Sequence, residues 1–132
     1  MNIHEELFAT NFIVPAKRER YLELLKSAKG RSKLRFGLNH CGDIDMRYAR
    51  LVPASEQYAE AILKILKQKG APDLCHVMSS NSYIDEEDLP LRKALEETIG
   101  SGMGTLISCI PGRLAYFEFE DYGESYILER RS

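Results

Sequence analysis

The sequence predicts an α/β fold that borders on α+β, with N-terminal helices, a mixed sheet containing two strand-helix-strand crossovers, and a C-terminal antiparallel meander of three strands. Three observations predict it. Apolar residues recur at helical spacing before residue 42, and strand-like and helix-like patterns alternate over residues 48–110. In the last third, apolar and polar residues alternate as in strands, and two turn signals separate the strands. A length of 132 residues and a mass of 15.1 kDa predict one globular domain over residues 1–132.

The first third of the chain is predicted to be helical. A helix is expected to begin at Pro15 and end at Gly30, because apolar residues recur between them at helical spacing: Tyr21, Leu24, Leu25 and Ala28. Residues 31–41 fit either a helix or a strand. Leu34, Leu38 and Cys41 share a helical face, whereas Leu34, Phe36 and Leu38 alternate as in a strand. We favour a second helix there.

The middle of the chain alternates between strand and helix patterns. A short strand over residues 48–52 is followed by an amphipathic helix over residues 56–69 with Ser55 as its N-cap, and then by an apolar strand over residues 74–78. Four acids at residues 85–88 precede a helix over residues 89–99, and we interpret them as capping residues rather than metal ligands. Right-handed crossovers running in the same direction would place both helices on one face of the sheet.

The C-terminal third predicts a specific strand register. If Pro111-Gly112 forms a tight turn, Leu106 faces Phe117 and Ser108 faces Ala115; a wider loop or a bulge there is the alternative. If residues 121–124 form a four-residue turn, Phe117 faces Leu128 and Phe119 faces Tyr126. Both hairpins place the same set on one apolar face, which a one-residue slip would destroy: Leu106, Ala115, Phe117, Phe119, Tyr126 and Leu128.

Composition excludes several classes of protein. Eighteen basic and 20 acidic residues give a net charge of -2, and 44% of residues are hydrophobic, which argues against disorder and against a surface built throughout for nucleic acid. No apolar run approaches the roughly 20 residues of a membrane span, and the N-terminus carries acids where a targeting peptide carries bases. We therefore expect a cytoplasmic protein without a membrane partner.

The second face of the meander motivates the preferred hypothesis for function. It combines apolar and acidic side chains, and those expected to contact a partner are Ile107, Leu114, Tyr116, Glu118 and Ile127. An apolar patch rimmed by acids is typical of a protein-binding or homodimer surface, although a helix of the same chain could cover it instead. We therefore expect a non-catalytic protein-binding or regulatory domain, such as an adaptor, an inhibitor or a neutralising partner.

A nucleic-acid-binding domain is the first alternative. Basic residues are densest in the segment 26–50, and the candidate phosphate contacts there are Arg31, Lys33, Arg35, Arg47 and Arg50. A solvated helix face explains the same residues, and true nucleic-acid domains usually have a basic excess and aromatic stacking partners.

An enzyme or a small-ligand domain is the second alternative, with a site lined by residues 79–85 and 111–113 at strand ends. Three separated cysteines, Cys41, Cys75 and Cys109, predict reduced thiols, and Cys109 is the best nucleophile candidate although packing explains it better. Adjacent Cys75 and His76 point to opposite faces of a strand, so we predict no metal site and no cofactor. The glycines of residues 100–105 and the alternation Glu118-Phe119-Glu120 are interpreted as a flexible connection and an edge strand.

Overall fold

The computed structural model describes residues 2–120 and 124–131 of the chain. Within these residues there are five α-helices: α1 (Ile3–Asn11), α2 (Arg18–Leu24), α3 (Ala28–Gly37), α4 (Ala59–Gln68) and α5 (Leu91–Thr98). The strands are β1 (Ala49–Leu51), β2 (Leu74–Ser79), β3 (Asp88–Pro90), β4 (Thr105–Ile110), β5 (Leu114–Glu118) and β6 (Ser125–Glu129). No helix in this part of the chain has the length and apolar character needed to cross a bilayer.

The strands form one sheet in the order β1-β6-β5-β4-β2-β3, and every neighbouring pair is antiparallel. The predicted class, a mixture of helices and strands, is confirmed, but the parallel pairs of a mixed sheet are absent from the described residues. For the second crossover the reason is β3, which reverses the chain between β2 and α5; for the first it is the meander of β4, β5 and β6, which lies between β1 and β2. Each crossover helix joins strands that run in the same direction but are not neighbours: α4 joins β1 to β2, and α5 joins β3 to β4.

Helices cover both faces of the sheet. The apolar stripes of α4 and α5, which include Ile62, Leu66, Leu91 and Leu95, pack on the face formed by alternate residues such as Val77, Ile107 and Tyr116. The two helices share a face, but not through the predicted condition: the crossovers β1 to β2 and β3 to β4 run in opposite directions along the sheet, and the strands they join are also oppositely directed. The opposite face, which includes Met78, Leu106 and Phe117, packs against the N-terminal helices through Phe8, Phe12 and Leu34.

The meander has the predicted faces, with one change of register. Leu106 pairs with Phe117 and Ser108 with Ala115, as predicted, and a bulge follows Ser108 before the turn. Phe117 pairs with Tyr126 rather than with Leu128, a shift of two residues. Because side chains alternate with a period of two, this shift keeps the apolar set on one face. The predicted turn at residues 121–124 lies largely outside the described residues.

Two predicted helix boundaries are wrong. Gly30 lies inside the first turn of α3, where its N–H donates to Ser27 Oγ, and a Cβ there would lie 2.3 Å from the carbonyl oxygen of Leu24. Gly30 therefore permits the close approach of α2 and α3 instead of ending a helix. α4 begins four residues after Ser55, with Tyr58 as its N-cap. The segment 31–41, by contrast, is helical over most of its length, as predicted.

Candidate functional site

The five side chains predicted to contact a protein partner are buried: Ile107, Leu114, Tyr116, Glu118 and Ile127. The four apolar ones belong to the core cluster beneath α4 and α5. The prediction that this face is open to a partner is therefore wrong, and a helix cover from the same chain takes its place. The physical reason is that two helices with one apolar stripe each need a sheet face on which to bury it.

Two of the predicted nucleic-acid contacts, Arg31 and Arg35, lie in an ion-pair network between α1, α3 and the segment after β2. Arg31 donates to both carboxylate oxygens of Glu5, at 2.8 and 2.7 Å, and to both of Asp85, at 2.6 and 3.1 Å. Arg35 donates to Asp85 at 3.3 Å. The Asp85 carboxylate also accepts from the Ser79 N–H, so this acid does not cap α5 as predicted.

His76 extends the network across β2. Its two ring nitrogens each lie 2.7 Å from a carboxylate, one from Asp88 and one from Glu5. Burial opposes the positive charge on His76, but the hydrogen bonds to Glu5 and Asp88 outweigh burial and raise its pKa. Burial also disfavours the Glu5 carboxylate, yet the hydrogen bonds from His76 and Arg31 hold its pKa at about 2. At weakly acidic pH, therefore, His76 is positively charged and Glu5 is negatively charged.

His4 lies beside this network at the beginning of α1. Its ring stacks on His76 with centroids 5.5 Å apart, and its Nδ1 lies 2.7 Å from Ser108 Oγ. Burial, followed by the charge of His76, lowers the pKa of His4. The hydrogen bonds of the network join α1 and α3 to the sheet and to the segment after β2, and its charges are paired with one another.

The remaining nucleic-acid candidates are dispersed. Arg47 is bound to Asp45 through two hydrogen bonds of 3.0 and 2.7 Å, and Lys33 is exposed on α3. Arg50 lies on the edge strand β1, opposite Ile127 of β6. The five predicted contacts thus do not form one surface: two are in the ion-pair network, Lys33 is exposed on α3, and only Arg47 and Arg50 line a common cavity beside β1.

Arg50 instead belongs to a second group of cations, which we call the basic cleft. It is a cavity of about 710 Å³ between the C-terminal end of α4 and the adjoining ends of β1, β5 and β6. Five cationic side chains line it, together with one carboxylate from Glu129: Arg50, Lys69, Arg113, Arg130 and Arg131. Apolar contacts at the base come from Ile65, Ile110 and Leu114.

The interactions inside the basic cleft leave several cations unpaired. Glu129 accepts a hydrogen bond from Lys69 at 2.8 Å, and this bond, supported by the nearby charges of Arg131 and Arg50, lowers the pKa of Glu129. Arg130 donates to the Asn11 carbonyl oxygen and stacks on Tyr48. Arg50, Arg113 and Arg131 are exposed and form no ion pair with any residue that the structure describes.

The basic cleft is difficult to find in the sequence because its cations come from four separate segments. Fold topology brings them together: Leu114 pairs with Glu129, which places the turn before β5 beside the end of β6. One predicted ligand-site segment, residues 111–113, does contribute Arg113 to the cleft. The other, residues 79–85, lies instead at the ion-pair network through Ser79 and Asp85.

The cysteines and the metal-ligating residue types form no reactive centre in the described residues. All three thiols are free and buried. Burial raises the pKa of Cys41 and Cys109, and raises the pKa of Cys75 to about 12, so none is held as the reactive thiolate. In the ranges 2–120 and 124–131, no three His, Cys, Asp or Glu side chains are grouped as they would need to be to hold a metal ion.

Comparisons of the chain with protein-family models, with curated proteins and with solved structures found no match.

Proposed function

We propose that the protein is a non-catalytic binding module whose basic cleft takes an acidic, extended segment of a partner protein. The observation that carries the proposal is the grouping of five cationic side chains around one cavity with a single carboxylate, in a chain whose net charge is negative. Charges of one sign lining a concave surface attract and hold ligands of the other sign. The cleft therefore replaces the buried sheet face as the site of partner binding.

The chemistry of the cations favours carboxylate or phosphate ligands. Four of the five are arginines, whose planar guanidinium groups bind such anions through two parallel hydrogen bonds. Three of them, Arg50, Arg113 and Arg131, are exposed and have no ion-pair partner among the described residues, so a ligand would not first have to displace a carboxylate from them.

Two features favour a protein segment over nucleic acid. Among the described strands β1 is an edge strand that pairs with β6 alone, and Leu51 on it is 55% exposed, so an extended segment could pair with this edge beside Arg50. Single-stranded nucleic acid is usually held by exposed aromatic rings, whereas no described aromatic residue lines the basic cleft and Arg130 stacks on neighbouring Tyr48.

The test compares two anionic probes at equal length and charge: a fluorescent poly-glutamate peptide and a fluorescent single-stranded oligonucleotide. Fluorescence anisotropy at low salt should show tighter binding of the peptide, and the double variant Arg113→Ala/Arg131→Ala should weaken it by roughly tenfold or more. The matched control is Arg20→Ala/Lys33→Ala, which removes two charges outside the cleft and should change affinity less than about twofold.

Three outcomes would overturn the proposal. Tighter binding of the oligonucleotide would assign the cleft to nucleic acid. Equal losses in the cleft variant and in the control variant would show that only net charge matters. Failure of the peptide to bind at low salt would show that the cations are merely solvated.

A further inference from the structure

The two edges of the sheet differ in how they are protected against the addition of another strand. β3, at one edge, begins with Asp88 directly after Glu87 and ends in Pro90, which has no backbone N–H. Proline and charged side chains are the means by which proteins keep further strands from an edge. β1, at the other edge, contains no proline, and its Leu51 is 55% exposed. Of the two described edges, β1 is therefore the one suited to pairing with a further strand.

The hydrogen bonds of β1 identify the backbone groups at its free edge. Val52, the residue after β1, donates its N–H to the Ser125 carbonyl oxygen at 2.9 Å and continues the register in which β1 pairs with β6. Hydrogen-bonded and non-hydrogen-bonded pairs alternate along an antiparallel ladder, so the N–H and C=O of Leu51 point away from β6. The Ala49 N–H instead donates to the Met46 carbonyl oxygen. Leu51 is consequently the centre of the free edge.

The two faces of β1 present different chemistry to a strand at this edge. Arg50 pairs with Ile127, which is buried beneath α4 and α5, so Arg50 lies on the face that carries the basic cleft. Leu51 lies on the opposite face, as Ala49 does. Arg50 also lines a smaller cavity of about 180 Å³ beside β1, together with Lys69. An added strand would therefore meet cations on one face and an apolar side chain on the other.

From this geometry we infer that the partner segment binds as a further antiparallel strand beside β1 and that it alternates acidic with apolar residues. The inference rests on the proposed function, because it specifies which acidic segment the basic cleft takes. An apolar residue of the partner pairs directly with Leu51, and the acid next to it lies opposite Arg50, on the face of the cleft. The antiparallel direction follows the rest of the sheet, in which every neighbouring pair is antiparallel.

The alternation follows from strand geometry. In an antiparallel pair, the residue that exchanges hydrogen bonds with Leu51 has its side chain on the same face as Leu51, and its two neighbours point to the other face. An antiparallel segment runs from the Leu51 end of β1 towards Ala49, which pairs with Leu128 near the end of β6. Acids at alternate positions after the apolar residue therefore approach Arg113 and Arg131 in the basic cleft.

A second copy of this chain fits the edge less well than an acidic segment. Two β1 strands paired antiparallel about Leu51 would place the Arg50 residues of the two copies on one face and diagonally across from each other, with Cα atoms roughly 7–8 Å apart. Like charges in cross-strand positions are destabilising. The cation at this edge therefore discourages self-association and favours a strand of opposite charge.

The experiment measures the fluorescence anisotropy of labelled octapeptides with equal numbers of glutamates and valines, at low salt. The peptide in which they alternate should bind roughly threefold or more tighter than one in which all the glutamates precede the valines. Methylation of the valine amide nitrogens, whose N–H groups would face Leu51, should weaken the alternating peptide by about tenfold or more, because backbone hydrogen bonds are lost. Methylation of the glutamate amide nitrogens is the matched control. Those N–H groups point away from β1, so affinity should change by less than about twofold.

A pair of leucine variants tests the same contact from the side of the protein. Leu51→Ser should weaken binding of the alternating peptide by about twofold to fivefold, because it removes an apolar cross-strand pair, and should leave the affinity for poly-glutamate unchanged. Leu74→Ser is the matched control, since Leu74 is a similarly exposed leucine at the beginning of β2, and it should leave both affinities unchanged.

Equal effects of the two methylations would overturn the inference, as would a loss confined to the glutamate nitrogens or wild-type affinity in Leu51→Ser. If Arg113→Ala/Arg131→Ala still weakened binding of these peptides, the basic cleft would stand and only the added strand would fall. If no anionic peptide bound, the proposed function would fall with it. A dimer in sedimentation velocity that the alternating peptide dissociates would overturn the inference by assigning the edge to a second copy.

Discussion

Arginines occupy two very different settings in this molecule. Arg31 and Arg35 on α3 are largely buried and hydrogen-bonded to carboxylates, with Arg31 side chain exposure of 13%. Arg50 and Arg113 in the basic cleft are exposed and unpaired with respect to the described residues. The first pair stabilises the fold, because it neutralises acids that the fold buries. The second is available to a ligand, because the fold places its cations together without supplying acids.

The comparison shows that a high density of basic residues along the chain does not indicate which cations are free to bind a ligand. Arg31 lies in the densest basic stretch, yet its partners Glu5 and Asp85 are 26 and 54 residues away. The cleft arginines come from three separate parts of the sequence, at residues 50, 113 and 130–131, and are brought together by antiparallel pairing. Substitutions that break each group separately test this contrast.

The largest effect is expected from Arg31→Ala. It leaves Glu5 and Asp85 as buried carboxylates without their main counter-charge, and breaking a buried pair in this way destabilises proteins by about 3–5 kcal/mol. Urea unfolding followed by circular dichroism measures the loss. Lys33→Ala on the same helix is the control, because Lys33 is exposed and its replacement should change the free energy of unfolding by about 0.5 kcal/mol or less.

A loss below about 1 kcal/mol for Arg31→Ala would contradict this account. It would mean that water solvates Glu5 and Asp85 once the guanidinium is removed, and that the network fastens the N-terminal helices to the sheet only weakly.

Much of the fold could be predicted from the sequence, because it depends on local periodicity. The apolar stripes of α4 and α5, and the inward side chains of β5 such as Phe117, follow helical and strand periods that are visible in short windows. The register predicted for the second hairpin differs from the observed one by two residues, an even number, so the predicted faces are correct. The antiparallel course of the sheet is not visible in the sequence, because β3 has only three residues, one of them Pro90.

The candidate sites could not be predicted to the same extent, because each depends on residues that are distant in the sequence. The acids 85–88 precede a helix, which made capping the simplest interpretation, but Asp85 binds Arg31 and Asp88 binds His76. The apolar second face of the meander was visible, whereas the helices that cover it could be assigned only from the three-dimensional topology.

An intermediate effect is expected from the histidines of the ion-pair network. The folded protein holds the pKa of His76 above 6.5, so its stabilising contribution is complete below pH 6.5 and is lost as the pH rises through the folded pKa. His4 acts in the opposite direction, because burial lowers its pKa. His76→Gln should therefore reduce stability at about pH 6, by about 1.5–3 kcal/mol for hydrogen bonds to charged groups, and by less as the pH rises.

His4→Gln separates the two contributions. The lowered pKa of His4 makes the wild type gain stability as the pH approaches 6.5 from below, so across about pH 5 to pH 8 the variant should lack this gain and keep the loss above pH 6.5 that His76 causes. Urea midpoints across this range provide the measurement. A wild-type slope in both variants would show that the network does not change its protonation in this interval.

The smallest effect is expected from the basic cleft itself. The triple variant Arg50→Ser/Arg113→Ser/Arg131→Ser removes three exposed cations that have no ion-pair partner in the described residues, so the free energy of unfolding should change by about 0.5 kcal/mol or less. Any change at low salt should be stabilising, because like charges around one cavity repel each other. Thermal unfolding at low and high salt checks the sign, and added salt should abolish the difference. A loss of more than about 1 kcal/mol would show that these arginines support the fold, as Arg31 does, and would remove the contrast between a paired group that stabilises the protein and an unpaired group that is free to bind.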